Sequence, residues 1–270
     1  MSDIAISRPG LWGLRALFAA TAIFLYAPIL ILVLFSFNRG TTAVFPIQGL
    51  TTDWYRQLFT NHDLIESLRT SALVAVLSSV TAVLLGVLMS LSLVRRRFLG
   101  KSVVTGVALA PLVMPYVVLG ISLLILFNAA GIPLSIFTVT IAHVVVTLPF
   151  TVLILVPRLS RVDRSLEEAA QDLGAPPART FLAVTLPLIL PAVVSSFLIA
   201  FVVSFDEYVV ASFLVGDRAT YPIYLFSQLR FPNRLPQVLA VATVMLVVSF
   251  VIVLLAEVSQ RFGEQRLLGR

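Results

Sequence analysis

Between Ser102 and Pro157 the chain contains no Asp, Glu, Lys or Arg. A hydrocarbon core about 30 Å thick takes roughly 20 residues of helix at 1.5 Å each, so this run is too long for one crossing and must fold back. Gly131 and Pro133 supply turn geometry, which puts the expected break at Asn128–Pro133, between spans three and four. Ala16–Phe37 is an uncharged run of the right length for span one. It follows Arg8 and Arg15 as a signal peptide would, but it exceeds the usual apolar region and lacks a clear small-residue cleavage site, so it is expected to be retained. Span two runs from about Thr70 to Val94 and is stopped by Arg95, Arg96, Arg97 and Lys101. Pro187–Phe213 and Leu235–Ala256 read as spans five and six.

Composition agrees: 59% of residues are hydrophobic and 12% charged, with a mean hydropathy of +1.03, against roughly 45–50% apolar in soluble domains. The fold class is therefore all-α, a polytopic membrane protein of about six transmembrane helices forming a single domain over residues 1–270. Cysteine is absent, which excludes disulfides and thiolate metal sites. The net charge of +6 comes from basic residues at the ends of apolar runs, where they orient a membrane protein and form no nucleic-acid stripe. With the amino terminus inside, 13 of the 19 basic residues fall on the cytoplasmic side, so both termini are expected there. Pro111, Pro115, Pro149 and Pro191 lie inside spans and are expected to bend them. Asn38–Arg69 is expected to be an outer connection carrying a short surface helix.

The charged loop at about 158–187 carries the densest pattern, SLEEAAQDLGAPPARTFLAVTLP over Ser165–Pro187. Ser165 and Glu168 have capping-box spacing, Glu167 and Glu168 suit a helix amino terminus, Gly174 suits a left-handed close, and Pro176 and Pro177 suit the start of a second helix. Leu166, Ala169, Ala170 and Leu173 share one apolar face. That face fits a partner's groove, the chain's own bundle or lipid headgroups, and spacing alone does not choose among them.

The segment resembles the cytoplasmic coupling motif of ABC importer permeases: Glu-Ala-Ala, three residues, Gly, nine residues, an aliphatic, one residue, Leu-Pro. Glu168, Ala169, Ala170, Gly174, Val184, Leu186 and Pro187 match it, with valine where isoleucine is usual. Phe35–Asn38, Trp54 with Tyr55, and Ser204–Tyr208 extend the likeness to the second permease of spermidine/putrescine-type systems, within the binding-protein-dependent, type I importers. The resemblance implies a permease forming half of a pathway for a small solute. It implies as partners a second permease subunit, two cytoplasmic ATPase subunits that bind ATP and Mg, an extracytoplasmic substrate-binding protein, and the lipid bilayer of a bacterial inner membrane. It implies no cofactor and no ATP hydrolysis in this chain, which has no GxxxxGK[ST] loop. Glu167, Glu168, Ala169, Ala170, Gly174, Leu186 and Pro187 would then couple to the ATPase. Membership of another class, an ion-coupled secondary transporter, would call for internal repeats, and none is evident.

Asp206 and Glu207 stand in an apolar setting that makes charge expensive. They either line the outer part of the translocation path, with Tyr208, or form a structural ion pair with Arg69 or a partner subunit. Met114 and Tyr116 either line the same path or pack between helices. His143 suits a proton relay or a hydrogen bond to a neighbouring helix. Two histidines and no cysteine leave no metal set, and neither HExxH nor GxSxG occurs, so no catalytic residue is expected.

Overall fold

A computed structural model describes residues 8–267. The chain order is α1 (Arg8–Ser36), α2 (Asp53–Leu58), α3 (His62–Arg95), α4 (Lys101–Leu109), α5 (Tyr116–Ala129), α6 (Ile136–Ser160), α7 (Arg164–Asp172), α8 (Pro177–Thr180), α9 (Leu186–Phe205), α10 (Val209–Leu214), α11 (Tyr221–Gln228) and α12 (Leu235–Leu267). Among the described residues five helices are long and apolar enough to cross a membrane, six when one bent pair is taken together. The described residues form two units, 8–61 with 228–246, and 62–227 with 247–267.

The second unit is built on α3, α6 and α9. Their buried faces combine large residues such as Leu64, Val74, Leu155 and Ile189 with many small, weakly polar ones: Ser71, Ala75, Ser78, Ala82, Gly86 and Ser90 on α3, Ala142, Thr147 and Thr151 on α6, and Ala192, Ser196 and Ala200 on α9. Large apolar residues such as Leu73, Leu77, Leu84 and Leu88 point outward. Exposing so many large apolar side chains departs from the pattern of a soluble bundle. Lipid is as apolar as leucine, so burying leucine gains little, and close backbone approach over small residues holds the helices instead. Gly86 marks the tightest crossing: a Cβ there would overlap the Thr151 side chain, whose hydroxyl donates to the Ala82 carbonyl across the interface at 3.2 Å. The 34 residues of α3 span about 51 Å, more than the hydrocarbon core. The stretch 62–69, expected as part of the outer connection, is therefore the first two turns of this helix.

Two of the expected spans differ. Span three is not one helix: α4 continues through a 3₁₀ turn at Ala110–Leu112, and α5 leaves at 107° to it. Pro111 and Pro115, four residues apart, remove donors from successive turns, and Pro115 disfavours a helical Met114. Pro149 and Pro191 lie within the continuous helices α6 and α9, where a single lost donor is tolerated. Span five does not reach Phe213: α9 ends at Phe205, and α10 begins after the break Asp206–Tyr208. The fold-back between α5 and α6 falls where expected. Gly131 has φ +67°, Ile132 N–H reaches back to the Phe127 carbonyl at 2.9 Å, and Ser135 N–H donates to Thr138 Oγ1 at 2.8 Å to open α6.

In the first unit, Asn38 organises the turn after α1. Its side-chain oxygen accepts from Gly40 and Gln48 N–H, and its carbonyl accepts from Trp54 Nε1 at 2.8 Å. Phe37 and Tyr55 meet with ring centroids 5.0 Å apart. Phe35–Asn38, Trp54 and Tyr55, widely separated in sequence, thus form one knot.

Candidate functional site

The loop after α6 is short and ordered. Asp163 caps α7 by accepting the Ser165 N–H at 3.0 Å, and this hydrogen bond holds its carboxyl below the usual carboxylate range. The capping box expected between Ser165 and Glu168 does not form, because Asp163 starts the helix two residues earlier and takes the role. Glu168 pairs instead with Arg164 one turn back, at 3.0 Å, with both side chains in water. Gly174 closes α7 at φ +84°, with Ala175 N–H bonded to the Ala170 carbonyl at 3.1 Å. Pro177 opens α8, which passes through a π-turn at Phe181–Thr185 directly into α9. The second half of the expected loop, including Leu186 and Pro187, is therefore the start of a spanning helix, and Arg158 lies in the last turn of α6.

Glu167 and Glu168 face opposite ways. Glu167 is largely buried, held by Arg95 and Thr185, whereas Leu166, Glu168, Ala169 and Leu173 are exposed and Ala170 is half-buried. Leu173 is 90% exposed and Leu166 47%. The apolar face of α7 is thus not consumed by the chain's own bundle.

The second group gathers at the break between α9 and α10. Glu207 turns inward. Its two carboxylate oxygens accept the Val210 and Ala211 N–H groups, each at 2.9 Å, satisfying two of the orphan donors that open α10. His143 of α6 brings Nε2 to 3.5 Å from Glu207 Oε2, while its Nδ1 lies 2.8 Å from Ser204 Oγ, which is in turn 2.8 Å from Ser78 Oγ on α3. His143, Ser204, Ser78 and Glu207 are all buried. The partner of Glu207 is therefore His143, not Arg69, and the hydrogen bond of His143 to a neighbouring helix is made to α9. Asp206, adjacent in sequence, is exposed on one side and has Ser249 of α12 beside its carboxylate. Tyr208 is half-buried and stacks on Phe226 with centroids 4.1 Å apart. Tyr116 packs half-buried against the core cluster that contains Val210 and Val74. Met114 is half-buried at the bend before α5.

Sequence reasoning missed Arg95 and Thr185 as site residues. Arg95 was legible only as the first of three stop-transfer arginines, and Thr185 as an unmatched position inside the motif. His143 with Glu207 was also unforeseen, since the 63 intervening positions carry no shared pattern.

A broken-helix bundle bearing an exposed, capped helix between two of its spans defines a membrane transport component. The family described as "Binding-protein-dependent transport system inner membrane component" matches residues 82–268, and the chain belongs to it. It is accordingly a multi-pass inner-membrane protein and an importer permease. The putrescine transport system permease protein PotI of Escherichia coli (strain K12) is 39% identical over 231 residues, 83% of this chain and 82% of that one. The spermidine/putrescine transport system permease protein PotC of Haemophilus influenzae is 37% identical over 239 residues, 88% of this chain and 92% of that one. The fold matches a crystal structure of a bacterial ABC transporter involved in the import of alginate with a TM-score of 0.71, at 17% identity, covering 95% of this chain and 98% of that one.

Proposed function

We propose that this chain forms half of the translocation pathway of an ATP-driven polyamine importer, and that α7 docks into a cytoplasmic ATPase subunit. The observation that carries the docking is the uncovered apolar face of Leu166, Ala169 and Leu173 on a helix capped at both ends. A capped helix presents its side chains at low entropic cost, and an apolar face rimmed by Glu168 and Arg164 suits a groove with its own charged edge. Glu168, Ala169, Ala170 and Gly174 shape that contact, and Leu186 with Pro187 carries it into α9. ATP and Mg are held by the partner ATPase subunits. A second permease subunit completes the pathway, and an extracytoplasmic binding protein delivers the solute. Both termini lie in the cytoplasm, in keeping with the basic residues at the span ends.

The polyamine assignment draws on the kinship with PotI and PotC and on the exposed carboxylate of Asp206, a suitable attractor for a di- or tri-cation. Tyr208 borders the same path, with Met114 and Tyr116 as its apolar part, and Glu207 supports the path from within the fold. The test joins co-purification with radiolabelled putrescine and spermidine uptake in vesicles. A Leu166→Asp, Leu173→Asp variant, altered only at exposed positions, is expected to insert normally, lose the ATPase and lose uptake. Retained ATPase binding in that variant refutes docking through α7. Uptake of neither amine by the assembled wild type refutes the polyamine assignment.

A further inference from the structure

A docked helix transmits movement only if it is fastened to the spans it must move. Covalent connection alone leaves α7 between two short loops, 161–163 and 173–176. The side chain of Glu167 supplies the fastening. Its Oε1 accepts from Arg95 Nη2 at 3.0 Å and from Thr185 Oγ1 at 2.8 Å, and its Oε2 lies 3.0 Å from Arg95 Nε. Arg95 Nη2 also donates to the Val162 carbonyl at 3.2 Å. Arg95 is the last residue of α3, Val162 lies between α6 and α7, and Thr185 ends the π-turn that leads into α9. One carboxylate therefore ties α7 to the ends of two membrane helices, α3 and α9, and through Arg95 to the turn that follows α6.

The environment makes this contact unlike an ordinary surface pair. The Arg95 and Glu167 side chains are 17% and 14% exposed, against 67% and 60% for Arg164 and Glu168 next door. A sheltered, two-pronged guanidinium–carboxylate contact resists both salt and rotation. The Arg164–Glu168 pair lies within α7 and joins it to nothing. The π-turn adds to the case, since a single widened turn in an otherwise regular helix is a recurrent mark of functional positions.

We propose that Arg95, Glu167 and Thr185 form a coupling clasp: positioning residues that convert displacement of α7 into joint movement of α3 and α9, without contacting the ATPase. The proposal rests on the reading that α7 docks the ATPase. It is tested on the assembled importer in proteoliposomes by measuring ATPase co-purification, ATP hydrolysis and putrescine transported per ATP hydrolysed. Glu167→Gln is expected to keep the ATPase bound and hydrolysing while transport per ATP falls about tenfold, a typical size for coupling between sites. Thr185→Val, which removes one hydrogen bond and no charge, is expected to give a loss of about threefold, and the exchange Arg95→Glu with Glu167→Arg to recover part of the ratio lost in either single reversal. Should Glu167→Gln fail to insert, Thr185→Val and Glu167→Asp give the same reading. Transport per ATP within about twofold of wild type in these variants overturns the clasp. Loss of ATPase binding in Glu167→Gln with wild-type binding intact makes Glu167 a docking residue, which overturns the clasp and leaves the docking of α7 standing. Absence of ATPase binding to the wild type removes the docking reading, and the clasp with it.

Discussion

The chain has two adjacent acidic pairs, Glu167–Glu168 in the loop helix and Asp206–Glu207 at the break in the fifth span, and the fold treats them in parallel ways. In each, one carboxylate turns inward to fasten elements together and the other faces outward. What differs is the medium. Glu167 sits at the water-facing end of the bundle against a guanidinium and a hydroxyl, whereas Glu207 lies among buried serines, a histidine and two backbone amides. A carboxylate in the drier place loses more when its partners are removed and leaves more behind unsatisfied. The two inward acids are alike in geometry and unequal in stake.

The largest effect is therefore expected from Glu207→Ala. It strips the acceptors from the Val210 and Ala211 amides inside the bundle, and at about 1–3 kcal/mol for each donor left unsatisfied is expected to cost about 2–6 kcal/mol in unfolding titrations in mixed micelles. Glu167→Ala, with partners that reach water, is expected to cost about 1–3 kcal/mol by the same measurement. An equal or reversed order would break the comparison and mean that the interior around Glu207 is wetter than its burial indicates. For the outward acids the prediction concerns activity. Asp206→Asn is expected to lower putrescine uptake at low substrate about three- to tenfold with an unchanged unfolding curve. Glu168→Gln, which loses only an exposed pair within one helix, is expected to change stability by about 0.5 kcal/mol or less. The smallest effect belongs to Asp163. Its carboxyl is depressed in the folded state by the Ser165 amide, so its contribution is present above the unfolded carboxyl range and is lost as pH falls through the folded value. Asp163→Asn keeps the cap and is expected to flatten that acid dependence, read as α7 proteolysis between about pH 5 and 2.

How much of this was legible beforehand follows from what each feature depends on. The turn at Gly131 and the helix stop at Gly174 were readable because both rest on local backbone conformation, and both glycines have positive φ. The cap of α7 was misassigned by two residues because Asp163 and Ser165 are both good caps, and local sequence does not rank them. The break after Phe205 was hidden for a different reason. Nothing in FVVSFDEYVV forbids a helix, and the interruption goes with Glu207 turning inward to the α10 amides and His143, contacts that local sequence does not encode. The 107° bend at Val113–Pro115 lay between these cases: the prolines announced a bend, but not that it would divide the span.

The sequence by itself determined that the chain is a helical membrane protein, roughly how many times it crosses, where its polar loop lies, and, through the spacing of that loop, its kinship. Those properties depend on hydropathy summed over some twenty residues and on fixed offsets within one segment, which a linear text preserves. Tertiary structure decided which acid of each pair turns inward, that Arg95 and Thr185 converge on Glu167, and that His143 meets Ser204 with one ring nitrogen and approaches Glu207 with the other. These depend on helix rotation and crossing distance, set by small-residue seams such as Gly86 against Thr151. A rotation of about 100° separates neighbouring positions on a helix, so the choice between two adjacent carboxylates is made by packing and not by their order in the chain.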